Sequence, residues 1–83
     1  MEKILVSLFV PSVQEKYDLF VPADLEIGTL SSVLANGVHD LCNGRYCVSE
    51  KEMLLRTSPD AVLNPNKTLS EYDINDGTGL ILI

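Results

Sequence analysis

Residues 68 to 83 read TLSEYDINDGTGLILI, and the reading of this stretch decides the fold. Thr68 and Glu71 stand three residues apart, the spacing of a capping box in which each side chain reaches the other residue's backbone N–H, so one short helical turn is expected from Thr68. Asp76-Gly77 supplies a turn, and residues 78 to 83 read as a closing strand. Its last four residues, Leu80 to Ile83, are all apolar, whereas chain termini are ordinarily polar and frayed. A strand of that composition either belongs inside a sheet or is a sticky end meant for something else.

The rest of the chain supplies the sheet. EMLLRT (52–57) reads as a third strand and AVLN (61–64) as a short fourth, joined by a Ser58-Pro59-Asp60 turn. Near the start, Ile4, Val6, Leu8 and Val10 alternate with Leu5, Ser7 and Phe9 up to Pro11, which is a first strand. After PSVQ, the run EKYDLFV (15–21) alternates again before Pro22, and so short a connection predicts an antiparallel hairpin. From Ile27 the period changes, with Ile27, Leu30, Leu34, Val38 and Leu41 recurring every three to four residues and Val33 and Cys42 flanking the stripe; this is a helix. Gly37 weakens it, yet the stripe runs on to Leu41, so Asn43-Gly44 is the expected stop. A five-stranded sheet with the helix on one face buries both amphipathic sets. The last strand can then lie beside the first, in the centre of the sheet.

Composition bounds the function. A chain of 83 residues, 46% of them hydrophobic, is read as one domain, 1–83, burying roughly 60 to 65% of its unfolded surface. Six basic against twelve acidic residues give a net charge of −6, and the cations are scattered, so nucleic acid is not an expected partner. No apolar run approaches the ~20 residues of a membrane span, and no secretory leader is recognisable, so direct membrane insertion is not expected either. Two cysteines without such a leader fit a reducing cytoplasm.

TLSEYDI followed by a turn and LILI resembles ubiquitin, in which a Thr-Leu-Ser-Asp-Tyr-Asn-Ile turn leads into the last strand. The order of elements resembles it over nearly the whole chain. A closer likeness is to the small bacterial ubiquitin-like proteins of type VII secretion loci, the YukD/EsaB group, in length, in the YDLFV second strand, in Leu55-Arg56 on the third strand and in the Leu69-Ser70 turn with Ile74. The resemblance implies an α+β, ubiquitin-like β-grasp fold, a mixed five-stranded sheet packed on one helix. It also implies a bacterial, cytoplasmic accessory protein that binds a secretion-machine component. Covalent modification or sulfur carriage needs a flexible Gly-Gly tail, which these residues lack, so that alternative is disfavoured. The other alternative is a cytosolic ubiquitin-like domain cut from a larger membrane secretion protein.

No constellation points to catalysis or to a cofactor. His39, Cys42 and Cys47 are the only group of ligand types, and a structural zinc site takes four such residues. Cys42 and Cys47 are expected as small buried thiols, with a disulfide closing the Asn43-Gly44-Arg45-Tyr46 loop as the alternative. His39 reads as a solvated helix residue, and Glu50, Glu52, Asp73 and Asp76 as solvated carboxylates. Leu80 and Leu82 should face the helix. The pleat then sends Leu5, Phe20, Ile81 and Ile83 outward together, joined by Met53 or Leu55 according to register. Several apolar residues on adjacent strands form a contiguous patch of the kind that marks an interaction site. Ubiquitin, by resemblance, uses an apolar patch on the same sheet face for noncovalent recognition. The expected partner is therefore a protein, or a second copy meeting the first through the sheet face.

Overall fold

Two alternating runs meet as a hairpin: β1 (Lys3–Val10) pairs antiparallel with β2 (Glu15–Pro22), from Lys3 opposite Pro22 to Val10 opposite Glu15. The structure, a computed structural model, describes residues 3–49, 51–57 and 60–83. The chain continues through α1 (Ile27–Leu41), β3 (Leu54–Thr57), β4 (Asp60–Val62), a 3-10 turn (Ser70–Tyr72) and β5 (Thr78–Leu82). The strands form one sheet in the order β2-β1-β5-β3-β4. Among the described residues only β1 and β5 run parallel, and β5 pairs antiparallel with β3 on its other side. Of the expected turn between β3 and β4, Ser58 and Pro59 lie outside the described residues.

The inner face carries the core. Ile4, Val6, Leu8 and Val10 of β1, Leu54 of β3 and Leu80 and Leu82 of β5 are buried with Ile27, Leu30, Leu34, Ala35 and Val38 of α1. The apolar closing strand is thus a central strand, flanked on both sides, which explains its composition. Beyond its last residue the pairing continues: Met53 N–H donates to the Ile83 carbonyl at 2.7 Å and Ile83 N–H to the Met53 carbonyl at 3.0 Å.

Local chemistry sets the ends of the helix. No side chain among the described residues caps its start. Its first free N–H groups are met instead by the loop after β4, where Ile27 N–H donates to the Lys67 carbonyl at 2.8 Å and Gly28 N–H to that of Pro65 at 2.9 Å. Gly28 permits this approach, since a Cβ there would lie 3.2 Å from Pro65 Cβ. The helix passes through Gly37 and ends as expected. Asn43 and Gly44 are left-handed, and Gly44 N–H donates to the His39 carbonyl at 2.8 Å.

The capping box also forms. Thr68 N–H donates to Glu71 Oε1 at 3.1 Å, and Glu71 N–H to Thr68 Oγ1 at 3.4 Å. It fixes the 3-10 turn with Leu69 fully buried beneath it.

Three expectations require correction. Leu41 and Val33, assigned to the helix stripe, are 58% and 56% exposed; they line the groove between α1 and β2 rather than the core. Cys47 is exposed and lies in the loop before β3, while Cys42 alone is buried, and both thiols are free. Asp76, exposed as expected, and Glu52, partly buried, do more than carry solvated charge, since both are fixed acceptors. Asp76 Oδ1 takes the Leu5 N–H at 2.8 Å, and Glu52 Oε2 takes Ser49 N–H at 2.6 Å and the Tyr46 hydroxyl at 3.2 Å. Glu50 lies outside the described residues, and Asp73 is the exposed left-handed residue that ends the 3-10 turn.

Candidate functional site

Side chains on a strand alternate between faces, so burying Val6, Leu8, Leu54, Leu80 and Leu82 commits their neighbours to the face opposite α1. Strand pairing then arranges these outward residues in rows. Lys16, Phe9, Ile81, Leu55 and Val62 are successive partners across β2, β1, β5, β3 and β4. Four of the five are apolar, and Phe9 and Val62 are exposed while Ile81 and Leu55 are partly so. Met53 and Ile83, joined by their backbone hydrogen bonds and both exposed, form the next row. The result is a continuous apolar surface of six side chains, Phe9, Leu55, Ile81, Val62, Met53 and Ile83.

Leu5 and Phe20 are placed differently. They are partners of each other, and Phe20 is 70% exposed. Between them and the Phe9 row lies a row of polar and small residues, Asp18, Ser7 and Gly79 in register. Thr57 lies over Gly79, its hydroxyl donating to the Gly79 carbonyl at 3.2 Å. A Cβ on Gly79 would fall 2.6 Å from Thr57 Oγ1. Ser7 and Gly79 of this row line an open cleft of about 310 Å³, bounded by Phe9, Ile81, Lys16 and Thr57. The single patch expected from Leu5, Phe20, Ile81 and Ile83 is therefore two clusters, with Leu5 and Phe9 separated by about 13 Å along β1.

A second apolar hollow of about 200 Å³ runs between β2 and α1, lined by Leu19, Val21, Val33, Leu34 and Leu41 among others. It lies beside the open edge of the sheet.

The described residues contain no group of three or more His, Cys, Asp or Glu side chains able to hold a metal. His39, Cys42 and Glu52 instead organise the loop after α1 around Tyr46. His39 Nδ1 lies 2.7 Å from the Tyr46 carbonyl oxygen, Tyr46 N–H donates to Cys42 Sγ at 3.1 Å, and the Tyr46 hydroxyl reaches Glu52. Burial, with the Glu52 charge and hydrogen bond, pushes the Tyr46 phenol up to about 12. Burial also pushes the Glu52 carboxyl up, but the hydrogen bonds it accepts from Ser49 and Tyr46 outweigh this and hold it below its ordinary value.

No family model matches the sequence, and no curated protein matches it. Solved structures do. The ubiquitin-like domain of EccD5 from Mycobacterium xenopi superposes with a TM-score of 0.73 at 19% identity, covering 100% of this chain and 94% of that one. The ubiquitin-like domain of the Mycobacterium tuberculosis type VII secretion system protein EccD1 gives 0.66 at 18%, with 100% and 99% covered. The fold is ubiquitin-like. A chain of the MycP5-free ESX-5 inner membrane complex gives a TM-score of 0.80 at 17% identity, and there the match spans all of this chain but 21% of the other.

On this ubiquitin-like frame all six residues singled out in the sequence reach the outer face, Met53 and Leu55 both included because they share a parity. Phe9 and Val62, which are not among those six, share the face. Phe9 has the parity of Leu5 and could have been found from it, whereas Val62 needed the pairing of β3 with β4.

Proposed function

We propose that this chain is one ubiquitin-like domain acting as a noncovalent protein-docking module, and that its outer sheet face is the docking surface. The observation that carries this reading is the row Phe9–Ile81–Leu55–Val62, extended by Met53 and Ile83. Several exposed apolar side chains on adjacent strands form a surface of the kind that contacts proteins rather than water. Binding by such a surface needs only burial and shape, with no reacting group. Leu5 and Phe20 form a second contact point across the polar row, so a partner spanning both would place a polar or small group over Ser7 and Gly79.

The partner we favour is a component of a type VII secretion machine, met on the cytoplasmic side. The likeness to EccD ubiquitin-like domains supports the machine. The kinship with the YukD/EsaB group rests on the sequence resemblance. A second reading, that the chain is part of a larger membrane secretion protein, draws on the match to a fifth of one ESX-5 chain. No helix among the described residues is long and apolar enough to cross a membrane.

The test is binding to purified cytoplasmic domains of such a machine, measured by calorimetry with the unaltered chain and with Ile81→Glu. Loss of binding with an unchanged melting temperature supports the face. Equal binding by both proteins refutes it.

A further inference from the structure

β2 is an outer strand of the sheet, and the direction of its free backbone groups follows from its partner. Leu5 N–H donates to Asp76 Oδ1, and the Leu5 carbonyl accepts from Gly77 N–H, both at 2.8 Å, so both groups face β5. In an antiparallel pair, residues opposite one another either exchange both backbone hydrogen bonds or turn both pairs of groups away. Phe20, opposite Leu5, therefore points its N–H and carbonyl out to the open edge. By alternation Asp18 and Lys16 do the same. Pro22, next in phase, has no N–H to offer and closes the run.

The free template is thus Lys16, Asp18 and Phe20, whose side chains are all exposed. Charges on an edge strand ordinarily prevent pairing. Here the charges have opposite signs and stand two residues apart, so the strand complements an antiparallel copy of itself. With Tyr17 on a twofold axis, Lys16 of each copy lies opposite Asp18 of the other, and each such pair exchanges two backbone hydrogen bonds as well as an ion contact. An axis at Lys16 or Asp18 opposes like charges, and one nearer Pro22 separates the opposite charges.

We propose that a second copy of this chain occupies the open edge, through antiparallel β2–β2 pairing about Tyr17. The pairing joins two five-stranded sheets into one and lays a strand beside the open side of the β2–α1 groove. It leaves Phe9, Ile81 and Leu55 uncovered and does not rest on the docking role of the outer face. So small a contact falls below the size of a standard interface and makes a weak, concentration-dependent dimer.

Sedimentation equilibrium from about 10 µM to about 1 mM tests this in ~0.15 M salt, which screens the repulsion between the net charges beyond ~8 Å. Lys16→Asp and Asp18→Lys should each weaken association at least about tenfold, and the double exchange Lys16→Asp/Asp18→Lys should restore it to within about threefold. Circular dichroism confirms that each variant is folded, and Ile81→Glu, on the other surface, should associate like the unaltered chain. A chain that is monomeric at the highest concentration overturns the proposal. So does a dimer indifferent to the single reversals, a double exchange that fails to restore it, or a dimer lost in Ile81→Glu alone, which would place the contact on the outer face.

Discussion

Leu55 lies directly opposite Ile81 across the β3–β5 ladder, with both side chains on the face away from α1, while their neighbours Leu54 and Leu82 lie opposite each other in the core. One residue of displacement along β5 therefore separates recognition from stability. Ile81→Glu should change stability by no more than about 0.5 kcal/mol, and it should weaken docking by leaving a charge desolvated at the centre of the contact. Leu82→Glu should unfold the domain, because it buries an unpaired carboxylate. Melting temperatures of the two variants decide the matter, and the opposite ranking would invert the faces.

Leu69 is fully buried beneath the 3-10 turn, and Ile74 N–H donates back to its carbonyl at 3.3 Å. Leu69→Ala should cost about 2–5 kcal/mol, the range for a buried leucine whose cavity does not collapse. Urea denaturation measures it directly, and a loss under half a kilocalorie would mean that this side chain does not anchor the turn.

The two thiols should behave differently. In the folded protein an alkylating reagent should modify Cys47 alone, with Cys42 reacting only after denaturation, so intact mass should show one adduct before unfolding and two after. Cys47→Ser should be close to neutral. Cys42→Ala should cost about 1–3 kcal/mol by removing a buried sulfur and leaving the Tyr46 N–H without its acceptor.

Burial of Tyr46 and the hydrogen bonds that Glu52 accepts, from Ser49 first and from Tyr46, should make stability depend on pH at both extremes. The Tyr46 phenol is raised from 10.0 to about 12 on folding, so above pH 10 the unfolded chain loses this proton first and stability should fall as pH climbs towards 12. Tyr46→Phe should remove that slope. Glu52 is depressed in the folded state, so its contribution is present above the ordinary carboxylate range and is lost as pH falls through its folded value. Glu52→Gln should flatten this acid limb. Denaturation midpoints across both ranges, variant against parent, provide the check.

The local chemistry of the fold could be read along the chain, because it depends on residues close in sequence. The Thr68–Glu71 box, the Asn43-Gly44 stop and the alternation of β1 each need fewer than ten neighbouring residues to be interpreted. Parity likewise sent Ile81 and Leu55 to the outer face. What parity cannot supply is which outward residues are neighbours. That depends on the parallel offset setting Phe9 beside Ile81 and leaving Leu5 beside Gly77, a relation between opposite ends of the sequence. The same distance hid the role of Asp76, whose carboxylate serves a backbone group 71 positions away. Leu41 and Val33 depart from the expected stripe for another reason: helical periodicity gives the direction of a side chain but not what stands there, and on their side the helix faces a groove.

The central position of β5 bears on how the molecule is made. Its two neighbours, β1 and β3, leave the ribosome before it does, so the nascent chain carries both halves of the sheet without the strand that joins them. At about 5–20 residues per second, the 71 positions between Leu5 and Asp76 amount to roughly 4–14 s of translation. Only over the last part of that interval, once β3 has emerged, are Leu8 and Leu54 both present with no strand between them. The hairpin and helix can form locally, but the sheet cannot close until β5 has emerged. Closing the sheet therefore depends on sequence-distant contacts, which slow folding, and a chain waiting for β5 exposes apolar strand edges of the kind that aggregate or that chaperones hold.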